Sequence, residues 1–374
     1  FLPANVRSLE FVVGKQNVYA VFQFFNQTTG YIVAAAIDQQ GQLVGAPKIL
    51  DSAQNVRPGT YAKIFNLIES ENKQKLAVFR VNTTKTNHIK VHVNRFDEGF
   101  ENAAETEISI NSNEKKSQLS DFALDNQGNL YCLRNTTIQD AAPAVSLLYL
   151  SADGKNVKES SIINNQLLLD DIRLKVDNSL QRVILNSLYA TEKKGHVEGL
   201  FTYVWDVKSN DVVLTTATRF TDASRAAVSS KRNLKDAFDS YYLDKVKTIA
   251  DGSYVVIAES AETYSNRSAF SRWDYFWGGP FYNPYYFNAW YRPFGFYPWA
   301  RYGWGPAFGW NPWMSPFSRW GYPSVTYNAN QIALMSMDAK GNLQWVKTID
   351  KSQSDINVDQ FIGYGSFENA KGLQ

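Results

Sequence analysis

The stretch NVYAVFQF (Asn17–Phe24) is followed by YIVAAAI (Tyr31–Ile37), then by the turn Asp38, Gln39, Gln40, Gly41, and then by a fresh apolar start at Leu43. Apolar positions recur with period two in short runs bounded by Asp, Asn and Gly. That is the pattern of half-buried antiparallel strands, not the 3.6-residue period of a helix. Read this way, the segment is three strands of a meander.

Working outward, the same unit returns. Leu76–Val81 and Ile89–Phe96 lead into Asp97, Glu98, Gly99; Leu130–Arg134 and Ser146–Leu150 lead into Ala152, Asp153, Gly154. Val183–Tyr189 and Gly199–Asp206 lead into Ser209, Asn210, and Tyr254–Glu259 and Gln331–Met337 lead into Asp338, Ala339, Lys340, Gly341. The turns at Asp38, Asp97, Asp153 and Asp206 recur about every 55 residues, a spacing within the range of β-propeller blades. The step from Asp206 to Asp338 is far longer, and removing Phe270 to Tyr327 brings it close to one period, so this segment is read as an insertion. The expected architecture is all-β: a single β-propeller domain over residues 1–374, of about six blades, five visible plus a partial one, with residues 270–327 inserted in the fifth. Phe361–Phe367 reads as the first strand of the sixth blade, which either the N-terminal strand closes or residues beyond Gln374 complete. Ser224–Ser240 is either a short amphipathic helix or a solvated connection between blades.

The last unit carries a resemblance. MDAKGNLQWVK (Met337–Lys347) runs from a strand ending in Asp, through a Gly-Asn turn, into a Trp-x-Lys strand. It is similar to the blade motif of propeller proteins of the Bacteroidota cell envelope, over about a hundred residues. The resemblance specifies a blade type, not an activity. It implies a periplasmic or outer-membrane-associated protein and, as a plausible partner, an outer-membrane translocon such as that of type 9 secretion, in which this chain would be a subunit concerned with protein transport. Val204, Trp205, Asp206 look by eye like a WD40 strand end, but the phrase occurs once and no Gly-His dipeptide accompanies it.

Composition excludes several classes. The formal charge of +2 gives no global field for nucleic acid or an anionic membrane. Cys132 is the one cysteine, which rules out a disulfide framework and any cysteine-based zinc site. Lying in Leu130, Tyr131, Cys132, Leu133, it reads as a small core hydrophobe. No run of 18 apolar residues occurs, so no helix is expected to span a bilayer. The chain opens on Phe1 without a signal-like segment, which fits a mature or shortened form.

Catalytic constellations are not found. His88 and His92 flank Ile89, Lys90 and Val91 in a strand pattern, which sets them about 13 Å apart, too far to share one ion; His196 stands alone. Asp170 and Asp171 point to opposite faces of a strand and read as a solvated pair, not as an acid and its base. A Gly-x-Ser-x-Gly elbow, a phosphate-binding loop and an Asp-rich calcium loop are all missing. The chain is therefore expected not to be an enzyme and to carry no catalytic, cofactor-binding or metal-ligating residues, although propeller sites can gather one side chain per blade at the central channel, which a sequence does not reveal.

The abnormal feature is the insertion, which holds eight of the ten tryptophans and eight of the twelve prolines, and no lysine. Prolines remove backbone donors and fix φ, so an irregular loop is expected. The residues proposed to bind a partner are Trp273, Trp277, Trp290, Arg292, Trp299, Arg301, Trp304, Trp310, Trp313, Arg319 and Trp320. So many rings in water form a large apolar patch that needs covering. Four coverings are open: the chain's own propeller; a membrane protein complex, including an outer-membrane barrel that the loop would occlude or gate; lipid headgroups; or a glycan, with Asn283, Asn288 and Asn311 as polar contacts. Nucleic acid is not expected, because the rest of the chain shows no basic groove.

Overall fold

The computed structural model describes residues 6–373 apart from 15–16, 56–63, 84–87, 112–116, 137–143, 193–194, 230–232, 266–267, 270–324, 357–361, 366–367 and 370–371. Strands β1 (Val6–Val13), β2 (Val18–Asn26), β3 (Thr29–Ile37) and β4 (Lys48–Ala53) form the first sheet, each antiparallel to the one before. The pattern repeats in β5 (Asn66–Glu69), β6 (Lys75–Thr83), β7 (His88–Asp97) and β8 (Glu101–Asn111). A third sheet holds β9 (Ser117–Leu124), β10 (Leu130–Thr136), β11 (Ala144–Leu150) and β12 (Val157–Ile162), and a fourth β13 (Leu168–Asp177), β14 (Arg182–Ala190), β15 (Gly199–Asp206) and β16 (Asp211–Arg219). After the helix α1 (Asp222–Val228), β17 (Tyr241–Thr248), β18 (Tyr254–Ser265), β19 (Ser268–Ala269), β20 (Val325–Met337), β21 (Leu343–Ile349) and β22 (Gln353–Ile356) make the fifth. Its four-stranded path is β17-β18-β20-β21.

Successive sheets pack face to face. Val12, Val21 and Ile32 of the first meet Leu67, Val78 and Phe96 of the second; Phe79 and Val91 of the second meet Leu130 and Cys132 of the third. Tyr131 and Leu147 then meet Val183 and Trp205, and Ile184 and Leu200 meet Tyr254 and Met335. Both faces of a sheet sandwiched in this way must be apolar, which is why a central strand such as β14 is buried along almost its whole length. Each fully buried Val, Leu or Ile contributes on the order of 1.5–3 kcal/mol. The first strands β5, β9, β13 and β17 adjoin one after another, so they form the inner edge of the array.

The turns explain the recurring Asp and Gly. Asp125 Oδ1 accepts from the amides of Gln127 and Asn129, while Asn129 Nδ2 donates to Asp125 Oδ2. Asp338 holds Lys340 and Asn342 identically. The fourth residue of each turn is a glycine at positive φ, +89° at Gly128 and +78° at Gly341. Side chains then pin one sheet to the next. Arg95 donates to the carbonyls of Gly128 and Ser151, and Arg182 donates to the carbonyl of Gly252.

Several sequence expectations are corrected. The helix is Asp222–Val228, capped by the Thr221 hydroxyl accepting from Ser224 N, and residues 235–240 are turns. Leu43 makes a single bridge to Ile37, and β4 begins at Lys48, past Gly45 and Pro47. Val325–Tyr327, placed in the insertion by the sequence pattern, pair with β18. Within the expected strand Phe361–Phe367, the described residues Ile362–Gly365 are irregular. Asp170 is not solvated but 3% exposed, because β13 is an inner strand covered on both sides. Cys132 is fully buried, as its apolar neighbours indicated.

Candidate functional site

Residues 270–324 and every partner-binding candidate within them, Trp273 through Trp320, lie outside the described residues. The structure does describe the root from which that segment departs. β18 and β20 pair from Tyr254 opposite Met337 to Ser265 opposite Val325. On one side β17 stops at Ser260, and on the other β21 stops at Ile332. Beyond these points the two strands continue as a ribbon, flanked by β22 from Ala329 to Thr326 and by the two residues of β19.

Polar ties fix this root. Gln331 donates to Asp350 Oδ1 at 2.8 Å and accepts from the Tyr241 hydroxyl, whose pKa is pushed up to about 12 by burial, with the Asp350 carboxylate adding to the shift. Lys351 forms an ion pair with Glu259, which is 1% exposed, and Tyr364 donates to Asp244. The Lys351 and Lys245 ammonium groups each stand 5.9 Å from the Tyr364 ring centre.

In the fourth sheet, the connection equivalent to the insertion, between the second and third strands, borders a cleft of about 800 Å³. Glu192, His196, Glu198, Arg219, Asp222 and Lys235 line it. His196 Nδ1 lies 2.6 Å from Asp239 Oδ2, and the other carboxylate oxygen accepts from Val197 N. Arg219 pairs with Glu198 at 3.0 Å. Beneath the cleft Arg225, 7% exposed, donates to the carbonyls of Val197, Glu198, Phe220 and Lys235, knitting the strand ends to α1. The cleft thus offers an imidazole oriented by a carboxylate and charges of both signs. His196 and Asp239 are 43 residues apart, and no local motif announces their meeting.

The inner edge gathers one polar group from successive sheets. Bulges interrupt β9 beside Asp121, β13 between Asp170 and Arg173, and β17 at Asp244. Bulges re-aim side chains, and these three lie on neighbouring strands. Arg173 reaches Asp121 Oδ1 at 3.5 Å and donates to the carbonyl of Leu243 at 2.8 Å. These groups serve as ties between strands. Among the described residues, no group of three or more His, Cys, Asp or Glu side chains is arranged to hold a metal ion, and no helix is long and apolar enough to cross a membrane.

No family profile matches the chain, and no curated protein matches it in sequence. Similar solved structures include a Synechocystis apocarotenoid oxygenase mutant, at 6% identity and a TM-score of 0.38, with 69% of this chain and 57% of that one covered. A GH43 β-1,3-galactosidase follows at 9% identity and a TM-score of 0.32, covering 67% of this chain and 52% of that one. An endo-arabinase from Bacteroides thetaiotaomicron has 11% identity and a TM-score of 0.33, covering 71% and 92%. The chain spans little more than half the length of the oxygenase and the galactosidase, and likenesses this weak assign no activity. The class of protein that the fold defines is all-β, a series of four-stranded antiparallel sheets stacked in chain order.

Proposed function

We propose that the chain is a β-propeller of about six blades that acts as a non-catalytic interaction protein of the bacterial envelope. It docks on an outer-membrane protein complex through the aromatic insertion and occludes or gates it. The observation that carries this reading is the ribbon: β18 and β20 stay paired as far as Ser265 and Val325, past the ends of β17 and β21. A ribbon held by β22 and by the Gln331, Lys351 and Tyr364 ties is a firm mount for a presented segment, and the segment's Trp and Arg content is that of interface anchors. The resemblance of Met337–Lys347 to envelope propellers favours a membrane partner, for which the type 9 translocon is one candidate.

The test is affinity purification of the tagged protein from native membranes, with and without residues 270–324. Loss of one membrane complex on deletion is expected. The same complex retained without the insertion would sink the reading.

A glycan-binding or glycan-processing propeller is the second reading. It is favoured by the cleft on the equivalent connection of the adjacent sheet, where Glu192, Glu198 and the His196–Asp239 pair stand together. Hydrolase screening with Glu198→Gln and His196→Ala as controls separates the two, since the docking reading expects no turnover from any of the three proteins.

A further inference from the structure

Each of the five stacked sheets ends, at its outer edge, in a strand that pairs on one side only among the described residues: β4, β8, β12, β16 and β21. Such a row of backbone N–H and C=O groups is a template for another strand, and charged side chains are the usual guard against one. Four of the five strands carry them: Lys48 and Asp51 in β4, Glu105 and Glu107 in β8, Lys158 and Glu159 in β12, and Lys347 in β21. In β16 the run from Val212 to Thr218 has no charge, no proline and no glycine. Apart from Leu214 and Ala217 every residue of that run is β-branched, the composition of a segment that pairs readily with copies of itself.

The backbone of β16 is set for such pairing. Phe220 N donates to Glu198 O, and the ladder runs on with Thr218 opposite Leu200, Thr216 opposite Thr202 and Leu214 opposite Val204. These residues turn their backbone groups toward β15, and by the alternation of an antiparallel ladder Thr215, Ala217 and Arg219 turn theirs outward. The one irregularity leaves Val213 unopposed and falls before this stretch. Thr215 and Ala217 are exposed. Asp211 begins the strand and Arg219 ends it, and the Arg219 side chain stays 76% exposed in its pair with Glu198.

We propose that β16 docks on β16 of a second copy of this chain, antiparallel about a two-fold axis at Thr216, which joins two fourth sheets into one continuous sheet. Thr215 then exchanges backbone hydrogen bonds with the second copy's Ala217, Ala217 does the same with the second copy's Thr215, and the two Thr216 side chains form a cross-strand threonine pair. The antiparallel sense also brings the Asp211 end of each strand to the Arg219 end of the other, whereas parallel strands would set like charges together. A two-fold contact closes on itself, so this edge yields a dimer and not a fibre. It lies on the rim of the fourth sheet and does not depend on what the insertion binds.

Light scattering on a sizing column is expected to give the full chain a mass of twice 42.4 kDa. Thr215→Lys and Ala217→Lys put an ammonium group beside the axis and are each expected to give the single-chain mass with an unchanged far-UV spectrum. Val157→Lys, 44% exposed on the already charged edge of β12, keeps the parental mass. Independently of the mass, Thr216→Cys sets one thiol opposite its own copy at a non-hydrogen-bonded pair, where Cα atoms come within disulfide reach, and Cys132 is buried. Mild oxidation is expected to convert that variant to a covalent dimer, and this result decides if a lysine variant fails to fold. A parent chain of single mass overturns the proposal. So do lysine variants that fold and keep the doubled mass, a Thr216→Cys chain that resists oxidation to a dimer, and a Thr216→Cys disulfide to a different polypeptide in envelope fractions.

Discussion

Arg173 donates from Nε to the carbonyl of Leu243 at 2.8 Å, joining the inner strand of the fourth sheet to that of the fifth. Its Nη1 lies 3.5 Å from Asp121 on the inner strand of the third. One guanidinium therefore spans three sheets at the point where each strand is bulged. Arg173→Met leaves a carboxylate and a buried carbonyl without this donor, and urea unfolding is expected to show a loss of about 3 kcal/mol. Lys175→Met, two residues along, breaks a pair with Glu71, whose side chain is 48% exposed, and should cost under about 1 kcal/mol. Equal losses would show that the burial of the Arg173 guanidinium has no special weight, since both side chains tie one sheet to another.

Gly154→Ala should be worse than Gly41→Ala, although both lie at positive φ, +71° and +78°. Both incur the left-handed penalty of roughly 1–2 kcal/mol, but only the first drives a methyl into Thr106. Adding Thr106→Ser removes the clashing Cγ2 while keeping the hydroxyl that accepts from Arg95. The double variant should regain part of the lost stability in thermal melts. No rescue would mean that backbone strain alone sets the cost.

Joining Ser265 to Val325 through Asn-Gly deletes the insertion together with the two residues of β19 and closes the ribbon as a tight hairpin. Shortening a loop from nearly 60 residues to two lowers the closure cost by roughly 3 kcal/mol. The docking reading therefore expects the deletion to be as stable as the parent chain or up to that much more stable. A loss of several kcal/mol would show that the deleted residues pack on the sheets of their own chain.

Turn carboxylates set the acid limit. Asp153 is held below the usual carboxylate range by the Ser151 hydroxyl, Asp251 by that of Ser253, Asp338 by the Asn342 side chain, and Asp206 by the backbone amide of Ser209. A carboxyl whose folded pKa is depressed contributes stability fully above its unfolded value, about 3.9, and loses it as pH falls through the folded value. Tm should be flat from about pH 5 to 7 and fall below about pH 4, less steeply in Asp338→Asn. An unchanged acid slope in that variant would remove Asp338 from the account.

Burial pushes the Cys132 thiol up, so it is neither ionised nor accessible at pH 8. Ellman's reagent should react only as the protein unfolds, and the reaction rate should track far-UV signal through a urea series. Prompt reaction in the folded protein would contradict the packing between the second and third sheets.

The middle strands of each sheet were legible in the sequence because both of their faces are buried in stacked cores. β14 and β15 read as apolar runs for that reason. The outer strands were not legible. β16 is exposed or half-exposed at every position and offers no amphipathic signal. Inner strands fail differently: β9 and β17 are bulged at Asp121 and Asp244, which breaks period two and puts acids where apolar residues are expected. The cleft depends on His196 meeting Asp239 across the sheet ends, a contact that only the folded chain makes. The insertion was plain from composition alone, but its mount was not, since Val325–Tyr327 continue the insertion's aromatic character into a paired strand.

That mount also sets how the protein bears force. A pull on the inserted segment acts on β18 and β20 in the same direction, so it does not peel them from each other. It loads their hydrogen bonds to β17, β21 and β22 in shear, with rows of bonds that must give way together. A load on the insertion would therefore strain the body of the fifth sheet before it detached the ribbon, and the anchor is strongest along the ribbon's own axis.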